Sequence, residues 1–461
     1  MSLASNLISD SAKIRSYYES GATRHYAFRK QQLQLLKSAI LKYENEINEA
    51  LYTDLKKSPE EAYATETGLL LAEINLAIKN LGRWMKPERA KTNLLNFPSS
   101  SKILHDPRGV VLIISPWNYP LQLLLVPLVG AIAGGNCVVL KPSELAPGTA
   151  NLIKKIFCEI FSDEYIKVYL GEGRDLIPAM IEHFHFDHIF YTGSIAVGKS
   201  IYQMAARDLI PVTLELGGKS PAIIESDANL TVAAKRIIIG KFINAGQTCV
   251  APDYLLIHKD IFEKFVAKLS ETIVQFFGND AKKSYDYGKI INEKRFDTLV
   301  SYMSEGNIVL GGNYDRSSLY IQPTILKNTS PDAPIMKEEI FGPILPVFAF
   351  ANAEEALMII KKNEDPLAFY VFTSDKKKEK EWLEKVSFGG GCVNNTIYHL
   401  SNPRLPFGGV GNSGIGAYHG KYSFDVFTRA KPIMKTPTWF DPAMKYPPFK
   451  GKLKFLKFFI K

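Results

Sequence analysis

Cysteine is scarce in this chain. The four present, Cys137, Cys158, Cys249 and Cys392, include no pair at CxxC spacing, which argues against a disulfide scaffold and a structural zinc site and points to a reducing compartment. Charge of one sign is scarce too: 56 Lys and Arg against 47 Asp and Glu leave +9 over 461 residues, a weak pull on anions that does not mark a nucleic-acid binder. There is no tandem repeat and no low-complexity tract. With 46% hydrophobic and 22% charged residues the composition excludes a disordered or fibrous chain, and the length predicts two or three domains. No secretory h-region is visible, because Asp10, Lys13 and Arg15 interrupt the first residues, so a cytoplasmic protein is expected.

One long hydrophobic run does exist. Val110 to Leu140 holds no Asp, Glu, Lys, Arg or His and is long enough to span a bilayer. Pro116, Pro120 and Pro127 cut it, and Gly134, Gly135 and Asn136 end it, so the run predicts a buried βαβ unit: strand 110 to 114, helix 121 to 133, strand 137 to 140. Residues 10 to 85 have the helical spacing of amphipathic helices, through Leu33, Leu36 and Ile40 and later Leu69, Leu71 and Ile74. From 110 onward short apolar strands (166 to 170, 188 to 191, 211 to 216) alternate with helices, as in a doubly wound α/β domain. A second series runs from 221 to 224 through 254 to 257 to 392 to 395, and the Pro- and Gly-rich segment 402 to 420 reads as a long loop.

Two glycine clusters compete for a phosphate. Gly409, Gly411 and Gly414 fit GxGxxG, but no strand precedes them and no helix follows at once. The turn from Gly193 and Ser194 to Gly198 lacks one glycine, yet it follows a strand and opens a helix; it is either an anion cradle or a plain N-cap at Ser194. His183, His185 and His188 do not converge on an extended chain, so no metal is expected. Cys249, on a Gly-Gln-Thr turn, is either an inert packed thiol or an exposed thiolate nucleophile that receives backbone donors. Glu215, inside an apolar strand that ends in two glycines, is either a general base with a raised pKa or the cap of that turn. Asn118, at the C-terminal end of the 110 strand, either donates to an oxyanion or caps the following turn.

Together these residues lie in ProTrpAsnTyrPro (116 to 120), GlyAsnCysValValLeuLysProSerGlu (135 to 144), PheTyrThrGlySer (190 to 194), LeuGluLeuGlyGlyLysSerPro (214 to 221), GlyGlnThrCys (246 to 249), GluGluIlePheGlyPro (338 to 343) and ProPheGlyGlyValGlyAsnSerGly (406 to 414). Collinear over nearly the whole chain, they resemble the aldehyde dehydrogenase superfamily. GlnThrCysValAlaProAspTyr (247 to 254) and GlyAlaTyrHisGlyLys (416 to 421) resemble its class 3 branch, which takes fatty and aromatic aldehydes.

The resemblance implies an α/β fold with a Rossmann-type NAD(P)-binding domain (1 to 85 and 105 to 214), a catalytic domain (215 to 395), bridging or oligomerisation segments (86 to 104 and 396 to 430), and a tail from 431. It implies that Cys249 attacks the aldehyde, Asn118 holds the oxyanion, and Glu215 activates the water that releases a carboxylic acid. Lys141 and Glu144 would bind the adenosine ribose, Gly193, Ser194 and Gly198 the pyrophosphate, and Glu339 and Phe341 the nicotinamide riboside. Trp117, Tyr119 and the apolar residues near 400 would line the aldehyde channel. NAD is the expected cofactor, with NADP as a second, and a homodimer is the expected assembly, with 426 to 428 as an edge strand. An acylating reductase and a vestigial scaffold are the competing functions; a water-activating base at 215 argues against the first. Finally, on a helical wheel Lys450, Lys454, Lys457 and Lys461 share one face of 450 to 461 and Leu453, Phe455, Leu456, Phe458, Phe459 and Ile460 cover the rest, with Lys452 out of place. Such a segment either lies on an anionic membrane surface or packs on the protein.

Overall fold

The computed structural model describes residues 3–460, without the side chains of Phe455 and Phe459. The uncharged run forms the centre of the first sheet. Val110–Ile114 and Cys137–Lys141 are buried at every position, pair in parallel, and flank the helix Gln122–Gly134, whose residues are likewise all buried. Only a sheet covered on both faces tolerates such strands. As in the expected span 121 to 133, the helix passes through Pro127; it ends where Gly135 turns left-handed, with φ 85°.

The first sheet has six strands in the order Gly414–Ile415, Val212–Leu216, His188–Gly193, Val110–Ile114, Cys137–Lys141, Ile166–Val168. Chain order runs outward from Val110–Ile114 in one direction and resumes on its other side at His188–Gly193. That makes a switch point between these two neighbours, where open α/β sheets hold ligands. The outermost strand comes from the 402–420 segment, which is not all loop: Gly414 and Ile415 pair antiparallel with Glu215 and Leu214. The glycines of the rejected GxGxxG serve this contact, since a Cβ on Gly414 would meet the Leu214 carbonyl oxygen at 2.4 Å and one on Gly409 that of Ser413 at 2.1 Å.

A second sheet of seven strands runs Asn307–Leu310, Thr324–Lys327, Ile344–Phe350, Tyr254–His258, Pro221–Ile224, Ala368–Phe372, Gly390–Val393, parallel except at its first pair. A third, antiparallel sheet joins Glu88–Ala90, Ser100–Pro107 and Thr428–Lys435, so its strands extend past residues 104 and 430. The edge strand begins at Thr428; Val426 ends the helix Lys421–Val426 instead. The N-terminal region is helical as expected, with Leu33, Leu36, Ile40, Leu71 and Ile74 buried. In the tail the helix is shorter than 450 to 461. Gly451, at φ 87°, closes the preceding turn, and the helix spans Leu453–Phe459. Lys452, the residue out of place on the wheel, donates to the Ala443 and Tyr446 carbonyls at 2.9 and 2.7 Å and ties the helix back. Lys461 lies outside the described residues. Among the described residues, no helix is long and apolar enough to cross a membrane.

Candidate active site

A cavity of about 850 Å³ opens at the switch point of the first sheet and reaches the second. Its floor is made by the residues that follow three adjacent strands: Pro116, Trp117 and Asn118; Gly193, Ser194, Ile195 and Ala196; and Glu215, Leu216 and Gly217. Cys249 completes it from the second sheet's side.

The cysteine turn is held rigidly. The helix Leu230–Phe242 gives way to a short turn in which Asn244 and Ala245 are left-handed, at φ 53° and 51°. Gly246 is also left-handed, and a Cβ there would meet the Gly342 carbonyl oxygen at 2.3 Å. Gln247 is fully used: its amide donates to Asn244 and Lys289 carbonyls at 3.0 and 2.9 Å and accepts from Ile291 N–H at 3.0 Å. Thr248 and Tyr119 hydroxyls meet at 2.5 Å. Cys249 thus emerges at a fixed point, where the large cavity meets a second, apolar one of about 150 Å³. That second cavity is lined by Tyr119, Ile397, Leu400, Phe407 and Tyr418, among others, as the apolar residues near 400 led us to expect. Trp117 is not among them. It stands edge-on to Phe341 in the large cavity, ring centroids 5.3 Å apart.

Asn118 is 2% exposed; its Nδ2 donates to the Gln247 carbonyl at 3.1 Å, and its Oδ1 has no partner among the described residues. Glu215 is 3% exposed and neither carboxylate oxygen has a partner, so it does not cap the glycine turn. Burial pushes its carboxyl well above the ordinary carboxylate range. The Cys249 thiol is pushed up as well, first by burial and then by the fields of Glu339 and Glu215; the backbone donors of the turn exist but are outweighed. Burial thus works against the thiolate that the turn's backbone donors would favour.

Glu339 lies across Gly217, where a Cβ would come within 2.1 Å of its carboxylate. Charged groups fix its segment. Lys219, paired with Asp253 at 2.5 Å, donates to Ile335 and Glu338 carbonyls at 2.8 and 2.9 Å, and Arg295 donates to that of Glu339 at 3.0 Å. Phe341 is left-handed, at φ 48°. Lys199, Lys219 and Arg295 also line the cavity and were missed in the sequence. Lys199 was legible as the cation one turn into the helix that Ser194 opens; Arg295 was not, being remote from every motif.

Ser194 is an N-cap that also borders the cavity. Its hydroxyl accepts from Val197 N–H at 3.4 Å as an N-cap, and with Gly193 it lines the cavity where the helix Ile195–Ala206 starts. Gly198 does not line the cavity. A Cβ there would strike Leu216 at 2.5 Å, so it sets how closely helix and strand pack. Lys141 and Glu144 are bonded to each other at the end of their strand, outside the cavity lining, and Gly173 N–H donates to Glu144 at 3.1 Å. Burial raises the Glu144 carboxyl, but Lys141 and backbone donors bring it below its usual value, so it is charged at neutral pH. His188 is buried against Thr213, 3.1 Å away, whereas His185 is exposed. Among the described residues no group of three or more His, Cys, Asp or Glu is placed to hold a metal ion.

With this geometry in place, the chain can be compared with known proteins. The model of the aldehyde dehydrogenase family matches residues 12–433. The chain belongs to the aldehyde dehydrogenase family. It is 47% identical over 449 residues to the 4,4'-diaponeurosporen-aldehyde dehydrogenase of Staphylococcus aureus, covering 97% of each chain. To the dimeric NADP-preferring aldehyde dehydrogenase of Mus musculus it is 42% identical over 451 residues, covering 97% of this chain and 99% of that one. A solved structure, the substrate-bound state of Staphylococcus aureus AldH, superposes with a TM-score of 0.97 at 46% identity over 100% of both chains. The protein is an NAD(P)-dependent aldehyde dehydrogenase of the class 3 kind.

The raised thiol has a direct consequence. Alkylation of Cys249 by iodoacetamide in the cofactor-free enzyme, followed on its own peptide, should keep accelerating through pH 9, above the ordinary thiol value of about 8.5. A plateau reached near neutral pH would mean that a thiolate is already held there.

Proposed function

We propose that this aldehyde dehydrogenase converts an aldehyde with an apolar body to its carboxylic acid through a thioester on Cys249, hydrolysed by water that Glu215 activates. One observation carries the reading: the sulfur stands where a small apolar cavity meets a large one that charged groups enter, beside a buried carboxyl with no partner among the described residues. Cys249 gives its proton to solvent in the open cavity and adds, as the thiolate, to the carbonyl, whose π electrons move to the oxygen. The resulting alkoxide takes a hydrogen bond from the Asn118 amide, which has one N–H left after its bond to Gln247, and from the Cys249 backbone N–H. Such a donor is worth about 3 kcal/mol. The dinucleotide, when bound, accepts the hydride that the alkoxide expels. Water held by Glu215 then attacks the thioester. A buried carboxyl with a raised pKa suits this step and has little use in transfer to a thiol acceptor.

The residues present fit a dinucleotide. The N–H groups at the start of the helix Ile195–Ala206 and the Lys199 ammonium supply positive charge for a pyrophosphate, while Glu339 offers its carboxylate to a ribose and Phe341 an aromatic face. Lys141 and Glu144 would hold the adenosine ribose. A charged Glu144 accepts from a free 2′-hydroxyl and repels a 2′-phosphate, so we assign NAD as the preferred cofactor although the mouse relative is named for NADP. We further assign residues 1 to 85 with 105 to 214 to the cofactor, and 215 to 395 to the chemistry.

The tail and the small sheet carry two finer readings. The Thr428–Lys435 strand is a sheet edge available for pairing in a homodimer, and the mouse relative is named as dimeric. In the tail Leu453 and Ile460 are each 61% exposed beside Lys450, Lys454 and Lys457, a pattern suited to contact with an anionic lipid surface from a cytoplasmic location.

Cys249→Ala should abolish turnover with the fold intact. Glu215→Gln should keep a burst of reduced cofactor and lose steady turnover; loss of the burst would place Glu215 in an earlier step. Glu144→Gln should narrow the ratio of kcat/KM with NAD to that with NADP, and a wild-type enzyme that strongly favours NADP would contradict the assignment. Removal of 450 to 461 should end cosedimentation with vesicles of anionic phospholipid, which salt should weaken in the full chain. Failure of the full chain to pellet at low salt, or a monomer by light scattering at micromolar concentration, would refute the corresponding reading.

A further inference from the structure

Behind the Asn118 turn, outside the lining of both cavities, lies an ion pair that the reaction does not use. Lys57 and Glu66 meet at 2.5 Å with neither side chain exposed at all. Two ions removed from water cost more than their attraction returns unless every remaining donor and acceptor is placed, so such a pair has to be explained by what else it touches.

Every other contact of this pair leads to one turn. The Lys57 ammonium donates to the Asn118 carbonyl at 3.1 Å and stands 4.0 Å from the centre of the Tyr119 ring. The second oxygen of Glu66 accepts the N–H groups of Leu121 and Gln122 at 2.9 and 3.2 Å. The pair therefore grips residues 118, 119, 121 and 122. Asn244 closes the arrangement from the other side. Its amide donates to the carbonyls of both Asn118 and Gln247, at 2.8 and 3.2 Å, and its own N–H is held by Glu61 at 2.8 Å. Glu66 lies within a π-helical turn, Tyr63–Thr67, and Glu61 just before it, and irregular turns of this type recur beside functional sites.

The geometry points to Lys57 and Glu66 as positioning residues that hold the Asn118 amide at the place where charge develops during acylation. This rests on the oxyanion role given to Asn118 above. An amide anchored only through its side-chain bond to Gln247 could rotate about its backbone. The carbonyl of the same residue, clamped by an ammonium and by Asn244, removes that freedom. Displacement of a reacting group by about 1 Å costs up to a hundredfold in rate, which is the order of effect at stake.

The experiment uses the full-length enzyme with NAD and a short soluble aldehyde. Removal of Lys57 alone would strand a buried carboxylate, so the informative variant neutralises both partners, Lys57→Met with Glu66→Gln. It should melt cooperatively, keep KM for NAD within about twofold, and lose roughly tenfold or more in the burst rate constant, with kcat falling further than KM for the aldehyde changes. In an Asn118→Ala background the same two substitutions should cost nothing more, because their effect runs through the amide that is already gone. Lys57→Arg, which keeps the charge and moves the donor, is measured alongside; it should be impaired less than the neutral pair and show the same non-additivity, and it decides the matter should the neutral pair not fold. A burst within about twofold of wild type, or a penalty that multiplies in full with Asn118→Ala, overturns the proposal. A wild-type burst in Asn118→Ala itself defeats the role given to Asn118, and this proposal with it.

Discussion

Two backbone carbonyls, those of Asn118 and Gln247, are held by the same amide of Asn244, and the Asn118 side chain returns a bond to the second of them. The first belongs to the loop that leaves the six-stranded sheet and the second to the loop that carries Cys249. Nothing else in the site would be where it is without this tie. Asn118 and Cys249 are 131 residues apart in the chain, and the tie joins the two loops that carry them. A tie made of buried hydrogen bonds breaks all at once when one partner is lost, which is why so small a cluster can set geometry.

Around the tie the protein keeps polar atoms that it does not satisfy. Both oxygens of Glu215, Oδ1 of Asn118, the hydroxyl of Thr192 and Nε of Arg295 are buried without partners among the described residues, while the two main sheets around them are covered by apolar side chains at almost every strand position. Buried polar groups are ordinarily paired, and these five atoms all belong to residues that line the large cavity. The apolar strands and the Gln122–Gly134 helix supply the stability against which that cost is set. The same burial raises both the Glu215 carboxyl and the Cys249 thiol, so the base and the nucleophile are tuned by one cause.

The sheet was legible wherever one physical signal dominated. Val110 to Leu140 could fold only as strand, helix and strand once its prolines and glycines were read, and both strands lie within a residue of their expected bounds. Pro127 lies inside both the expected helix and the observed one, tolerated because its neighbours are buried all round. Cys249, Glu215 and Asn118 were legible because a reactive or polar residue sat in a setting that packing alone did not need. Trp117 was placed in the wrong cavity: sequence proximity to Tyr119 says nothing about which side of a turn a ring takes. Lys57, Glu66 and Arg295 carried no local signal at all. A lysine and a glutamate in charged helices look like surface residues, and only the fold reveals that they are sealed inside.

The central claim is that carbon–sulfur bond formation at Cys249 precedes a water step that needs Glu215. It is tested most directly by mass spectrometry of the Glu215→Gln protein after mixing with NAD and an aldehyde. The account predicts an acyl group, two hydrogens lighter than the aldehyde, on the peptide that contains Cys249, in near-stoichiometric amount and removable by hydroxylamine. An unmodified Cys249 peptide after a full burst of reduced cofactor, or the acyl group on Cys392 instead, would contradict it.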